Sequence, residues 1–141
     1  MKTKRILIDS GPLVAFLNKK DSYHNWAITQ FSQLNPPFMT CEAVLSEVCF
    51  LLRHTDNGVR NVCKLLEREL IQIPFRLDTE IKLIASLLNK YKNIPMSLAD
   101  ACLVRMSEQI ADSAVCTLDS DFSIYRKEKR KVIPVIMPEN Q

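Results

Sequence analysis

The chain predicts an α/β fold: a single domain with a parallel sheet of about five strands, flanked by helices on both faces. Three observations carry this reading. Short apolar runs recur along the chain. Longer stretches with apolar residues at helical spacing separate them. Pro, Asn and Asp punctuate the junctions. Strands that alternate with helices in this way belong to βαβ units, whose sheets are parallel and covered on both faces.

The elements follow in order. Arg5-Ile6-Leu7-Ile8 predicts a short buried strand. Asp9-Ser10-Gly11-Pro12 ends it, with Ser10 as the expected N-cap and Pro12 tolerated in the first helical turn. Leu13, Val14, Phe16 and Leu17 form a helical stripe. A second helix is expected from Ser22 to about Leu34, broken by Asn35-Pro36-Pro37. Phe38-Met39-Thr40 predicts the second strand, and helices should run from Cys41 to about Arg53 and from Gly58 to about Leu70. Ile71-Gln72-Ile73-Pro74 predicts the third strand. Asp78 is the expected cap of a helix reaching about Tyr91, and Ser97 that of one reaching about Ala111. Ala114 to Leu118 predicts the fourth strand, and Lys131 to Ile136 the fifth, where Pro134 suits a sheet edge.

Length and composition bound the function. The 141 residues fit one domain, 1–141, with a core from about 5 to 136. Hydrophobic residues at 47% supply a core, and charged residues at 25% exclude the disordered class. With 2 Gly in the whole chain, neither G-x-G-x-x-G nor a P-loop can be written. The net charge of +3 permits a polyanionic partner without demanding one. The run Arg126, Lys127, Lys129, Arg130, Lys131 reads as a solvated loop or as a phosphate-contacting one. Cys41, Cys49, Cys63, Cys102 and Cys116 form no C-x-x-C, and most sit in apolar runs; they read as reduced core residues rather than zinc ligands. The first apolar stretch is too short for a signal peptide, and no run approaches the length of a membrane span. The expectation is a soluble, cytoplasmic protein with no membrane partner.

Ligands of open parallel sheets bind beyond the carboxyl ends of the strands. Asp9 ends the first strand there, and Asp119, closely followed by Asp121, ends the fourth. Glu47 lies between Val44 and Leu51 at helical spacing, on the apolar stripe, where a carboxylate is costly unless paired or metal-bound. Asp100 opens a helix between Ala99 and Ala101, small neighbours that permit a close approach. Each acid also has a purely structural role open to it. Asp9 can terminate a strand and favour the next helix's positive end. Ser97-Leu98-Ala99-Asp100 fits a capping box. Asp119-Ser120-Asp121 fits a turn, and Glu47 can pair with a buried cation. Together the four are more telling: clustered carboxylates repel, and Mg²⁺ or Mn²⁺ relieves the repulsion because hard cations take oxygen ligands.

At these residues the sequence resembles the PIN-domain nucleases of the VapC toxin type. The matching segments are Ile6-Leu-Ile-Asp-Ser-Gly-Pro-Leu-Val-Ala-Phe-Leu17, Val44-Leu-Ser-Glu-Val-Cys-Phe-Leu-Leu52, Ser97-Leu-Ala-Asp-Ala101 and Thr117-Leu-Asp-Ser-Asp-Phe122. The resemblance runs from about Arg5 to Ile136. It implies a single PIN-like domain with Asp9, Glu47, Asp100 and Asp119 as the metal-binding acids and Asp121 as a frequent fifth catalytic member. It implies supporting roles for Ser10 and Thr117, with Glu42 a poorer match than Glu47. It further implies a Mg²⁺- or Mn²⁺-dependent endoribonuclease, the toxin of a type II toxin–antitoxin module, with an antitoxin partner and a homodimeric state. Substrate phosphates would meet Arg53, Arg105 and Lys127, although Arg105 suits a surface salt bridge equally well. Trp26 and Phe31 fit either a dimer interface or the core. The alternatives are a stand-alone PIN nuclease, or an inert PIN-fold module that binds RNA or protein. Two other small α/β classes fit less well: a phosphorylation-type receiver needs an acidic pair where Asp9-Ser10 stands, and a haloacid-dehalogenase-like phosphatase needs an Asp where Gly11 stands.

Overall fold

The computed structural model describes residues 4–139; the predicted domain bounds at 1 and 141 lie outside the described residues. β1 (Arg5–Ile8) is buried beyond its first residue, as a central strand of a two-sided sheet must be. It pairs in parallel with β2 (Phe38–Met39) on one side and β4 (Ser113–Cys116) on the other. β3 (Ile71–Gln72) extends the sheet beyond β2, and β7 (Val135–Ile136) extends it beyond β4. The strand order is β3-β2-β1-β4-β7, all parallel. The chain steps from β1 outward to β3, then crosses back to β4 on the far side of β1. This reversal makes the β1–β4 boundary the topological switch point.

The connecting helices are α1 (Ser10–Leu17), α2 (His24–Gln33), α3 (Glu42–Leu51), α4 (Gly58–Glu67), α5 (Leu77–Lys90) and α6 (Leu98–Gln109). α6 is the most buried, with Ala99, Ala101, Cys102, Leu103, Val104 and Met106 all inside. It packs on β1 and β4 and against α3 and α5. The core joins Leu7, Ile8 and Val115 of the sheet to Val44, Val48 and Leu52, to Ile84 and Leu103, and to Phe122 and Tyr125. Trp26 and Phe31 are partly buried against this core, and the Phe31 ring packs on Phe16 and Phe38 with centroids 4.6 and 5.1 Å apart. Cys41, Cys102 and Cys116 are buried free thiols, Cys49 is half-buried, and Cys63 is exposed, against expectation.

Several boundaries differ from the sequence reading for local reasons. Asp9, not Ser10, caps α1, because its carboxylate accepts the Ser10 N–H. α2 begins at His24, since Asp21 first forms a turn by accepting the Tyr23 N–H at 2.8 Å. Arg76 occupies the N-cap of α5. Asp78 lies inside the first turn and pairs with Arg76. The predicted fifth strand is two strands. Lys131–Val132 (β6) pairs antiparallel with Arg126–Lys127 (β5), and Val135–Ile136 joins the main sheet. Pro134 stands between them and lacks the N–H that one continuous ladder would need.

Candidate functional site

The site is assembled at the carboxyl ends of β1 and β4. Ile8 pairs with Cys116, so the next residues, Asp9 and Thr117, leave the sheet side by side. The Asp9 N–H donates to the Cys116 carbonyl at 3.0 Å, tying the two strand ends together. The Thr117 hydroxyl, fully buried, donates to Asp9 Oδ2 at 2.7 Å and accepts the Asp119 N–H at 2.9 Å. The Ser10 N–H donates to Asp9 Oδ1 at 2.8 Å. Thr117 and Ser10 thus orient Asp9 from both of its oxygens.

Three other acids reach the same cleft from different elements. Glu47 lies on α3, and its Oε1 accepts the Ser10 hydroxyl at 2.8 Å. Asp100 is the third residue of α6 and closes a capping box: its N–H donates to Ser97 Oγ while its Oδ2 accepts the Ser97 N–H, both at 3.0 Å. The Tyr125 hydroxyl donates to the same Oδ2 at 3.3 Å. Asp119 caps a short 3₁₀ turn, Ser120–Ser123, by accepting the Asp121 N–H at 2.9 Å. The cleft encloses about 400 Å³, and Asp9, Glu47, Asp100 and Asp119 all line it, with Ser10 and Ser97. Gly11 lines it too. A Cβ there would stand 3.1 Å from Leu118 Cδ1, a tight contact that the Leu118 side chain would have to shift to relieve.

Burial and mutual repulsion set the electrostatics. Asp9 is pushed up to about 6, first by burial, with the charges of Asp100 and Glu47 adding and the bonds from Thr117 and Ser10 opposing. Burial also raises Asp100, and the charge of Asp119 adds to it. Burial, with the charges of Asp100, Asp121 and Asp119, holds the Tyr125 phenol above the ordinary tyrosine range. Among the described residues the ion pairs join Arg76 to Asp78, Arg105 to Glu80 and Glu108, and Lys131 to Glu128; none includes an acid of the cleft. Among the described residues the repulsion is therefore left without an ion-paired cation to offset it.

The donor set is all oxygen and net negative, which suits a hard divalent cation that keeps several waters. It is not a closed cage: among the described residues no three His, Cys, Asp or Glu side chains stand close enough to enclose an ion by themselves. Other expected residues fall elsewhere. Glu47 is exposed rather than buried, because Leu51 at the end of the supposed apolar stripe is itself 51% exposed. Glu42 is exposed at the start of α3. Asp121 stands beside the cleft and does not line it. Arg105 is engaged by Glu80 at 2.6 Å and Glu108 at 3.2 Å. It faces a separate cavity of about 530 Å³ between α5, α6 and the β5–β6 hairpin, which contains none of the four acids. Lys127 lies in that hairpin, and Arg53 follows α3 with its guanidinium over Phe50. The sequence reading missed Tyr125, whose bond to Asp100 spans 25 residues and follows no local pattern.

Comparison with known proteins agrees with this architecture. The PIN domain family model matches residues 6–128. The crystal structure of the sarcin-ricin loop cleaving toxin VapC20 from Mycobacterium tuberculosis superposes with a TM-score of 0.72 at 21% identity, covering 92% of this chain and 99% of that one. At that identity the likeness is one of fold. No curated protein matches the sequence. No helix among the described residues is long and apolar enough to cross a membrane. With the family model running from within β1 through β5, over most of the chain, the chain belongs to the PIN domain family.

Proposed function

We propose that the chain is an endoribonuclease that hydrolyses RNA phosphodiester bonds with the aid of Mg²⁺ or Mn²⁺. One observation carries the reading: Asp9, Glu47, Asp100 and Asp119 share a single cleft, and no cation of the described residues forms an ion pair with any of them. Asp9 and Asp100 would hold the ion, with Glu47 and Asp119 helping directly or through water. When bound, a divalent cation lowers the pKa of a water and offsets charge on the reacting phosphate. The chain's own groups orient the rest. Thr117 and Ser10 fix both oxygens of Asp9, and Ser97 and Tyr125 fix one oxygen of Asp100; Glu47 in the cleft, or Asp121 from beside it, would align the attacking water. VapC20, of like fold, is a sarcin-ricin loop cleaving toxin, which supports a role as the toxin of a toxin–antitoxin pair, acting in the cytoplasm as a homodimer held in check by an antitoxin.

Attack by water leaves 5′-phosphate and 3′-hydroxyl ends. The test is cleavage of RNA with Mn²⁺, end-group analysis of the products, and the Asp9→Asn and Asp100→Asn variants. Both variants are expected to lose at least about a hundredfold in rate. Products ending in 2′,3′-cyclic phosphate, or undiminished activity in both variants, would remove the metal–water mechanism. The open spacing of the acids favours a second reading, an inert PIN-fold module that binds RNA or protein. Absence of Mn²⁺ binding by the full chain would select it.

A further inference from the structure

α3 continues past Glu47 into a surface feature that the cleft does not use. Phe50 follows Glu47 by three residues, so it lies on the same face of the helix, about 4.5 Å further along its axis. It is 61% exposed, the second most exposed of the large hydrophobic side chains after Val132. Arg53 folds back over it. The guanidinium carbon stands 3.9 Å from the ring centroid, and Nη1 donates to the Phe50 carbonyl at 2.7 Å. The outcome is an ordered cation–π stack on an otherwise open helix end. Arg53 has no carboxylate partner among the ion pairs of the described residues, so its charge remains available to an anion.

From this arrangement we infer that Phe50 and Arg53 form a stacking platform for an unpaired nucleobase next to the cleaved phosphate. The inference rests on the nuclease reading and extends it to substrate choice. A single exposed hydrophobic residue is ordinarily unremarkable on a protein surface. Two features set this one apart. It is pre-stacked with an arginine plane, which is the pair of surfaces on which single-stranded bases are held. It also adjoins Glu47, which the Ser10 hydroxyl fixes at the cleft. A purely apolar protein partner would gain nothing from the guanidinium, whereas an RNA strand presents a π-face to the ring and a phosphate to the cation. The platform selects looped or single-stranded RNA over duplex, whose bases are already stacked and paired.

The test uses the full chain with chelator, to prevent hydrolysis, and a fluorescent single-stranded oligoribonucleotide read by anisotropy. Phe50→Ala is expected to weaken binding by about 5- to 150-fold, the range for loss of one base–aromatic stack. Phe50→Trp is expected to restore it, and binding of a duplex of the same sequence is expected to be unaffected by either change. Phe50 lies on the surface, so both variants fold. Equal single-strand affinity in Phe50→Ala and the parent chain would overturn the platform. So would a change in sedimentation behaviour with RNA binding unaltered, which would mark the face as a protein interface. Manganese binding by the parent chain, lost in Asp9→Asn, tests the nuclease site separately: if it persists while the platform fails, only the platform is withdrawn.

Discussion

At the scale of single residues, Asp9 shows what the site costs the fold. Its carboxyl rises from an ordinary value of 3.8 to about 6, chiefly through burial. The native state therefore holds this proton over a pH range in which the unfolded chain has released it. Stability from this group is fully present at low pH and declines as pH rises from about 4 through about 6. A shift of this size corresponds to about 3 kcal/mol. Without metal, Asp9→Asn should flatten that decline and be the more stable protein near neutral pH, while losing activity. Urea unfolding of both proteins near pH 4 and near pH 7, in chelator, checks this. Parallel stability–pH curves would mean that Asp9 is not the strained group. The gain expected from deleting a functional carboxylate is the familiar opposition between stability and activity.

At the scale of elements, the start of α6 does two tasks with one set of bonds. Ser97 and Asp100 satisfy each other's backbone N–H groups, which ends the helix cleanly and also fixes which Asp100 oxygen remains for the cleft. Ser97→Ala should lower stability by about 1 kcal/mol, the usual worth of an N-cap, whereas Ser97→Thr should be nearly neutral. Thermal unfolding of the three proteins decides it, and an unaffected Ser97→Ala would deny the cap its role. This capping box was readable from the sequence because its bonds span three residues. The strand–helix alternation was readable too, as were the strand-end positions of Asp9 and Asp119, because periodicity and breakers are local signals. What failed to show depended on distant partners. Pro134 divides the last strand only because Val132 and Val135 find different neighbours. Glu47 looked buried by spacing, but the inward face of α3 carries Val44, Leu45 and Val48, with Leu52 just past its end, and Glu47 lies off it. Tyr125 bonds Asp100 while its ring packs edge-to-face against Tyr91, just past α5, and Phe122, contacts that join segments far apart in the chain.

At the scale of the whole molecule, the strand order gathers acids from four separate elements at one switch point, and the two buried ones, Asp9 and Asp100, are seated on a packed core. Leu7, Ile8, Val115 and Cys116 lie fully buried just beneath Asp9, and α6 rests on β1 and β4. A cation that binds only the folded arrangement must then stabilise the entire domain. The gain follows mass action, about 2.7 kcal/mol when free metal is a hundredfold above its dissociation constant. Protons compete for the same oxygens, so the gain depends on pH with a definite sign: Asp9 is largely protonated below about 6 and must release that proton to ligate. The thermal midpoint is expected to rise with Mn²⁺ near pH 7.5, to rise much less near pH 5, and to stay fixed at both in the Asp9→Asn, Asp100→Asn double variant. A scan of melting temperature against Mn²⁺ concentration at the two pH values measures all three expectations. A midpoint unmoved by Mn²⁺ near pH 7.5, or moved equally in the double variant, would show that the cleft does not gather its acids around a metal.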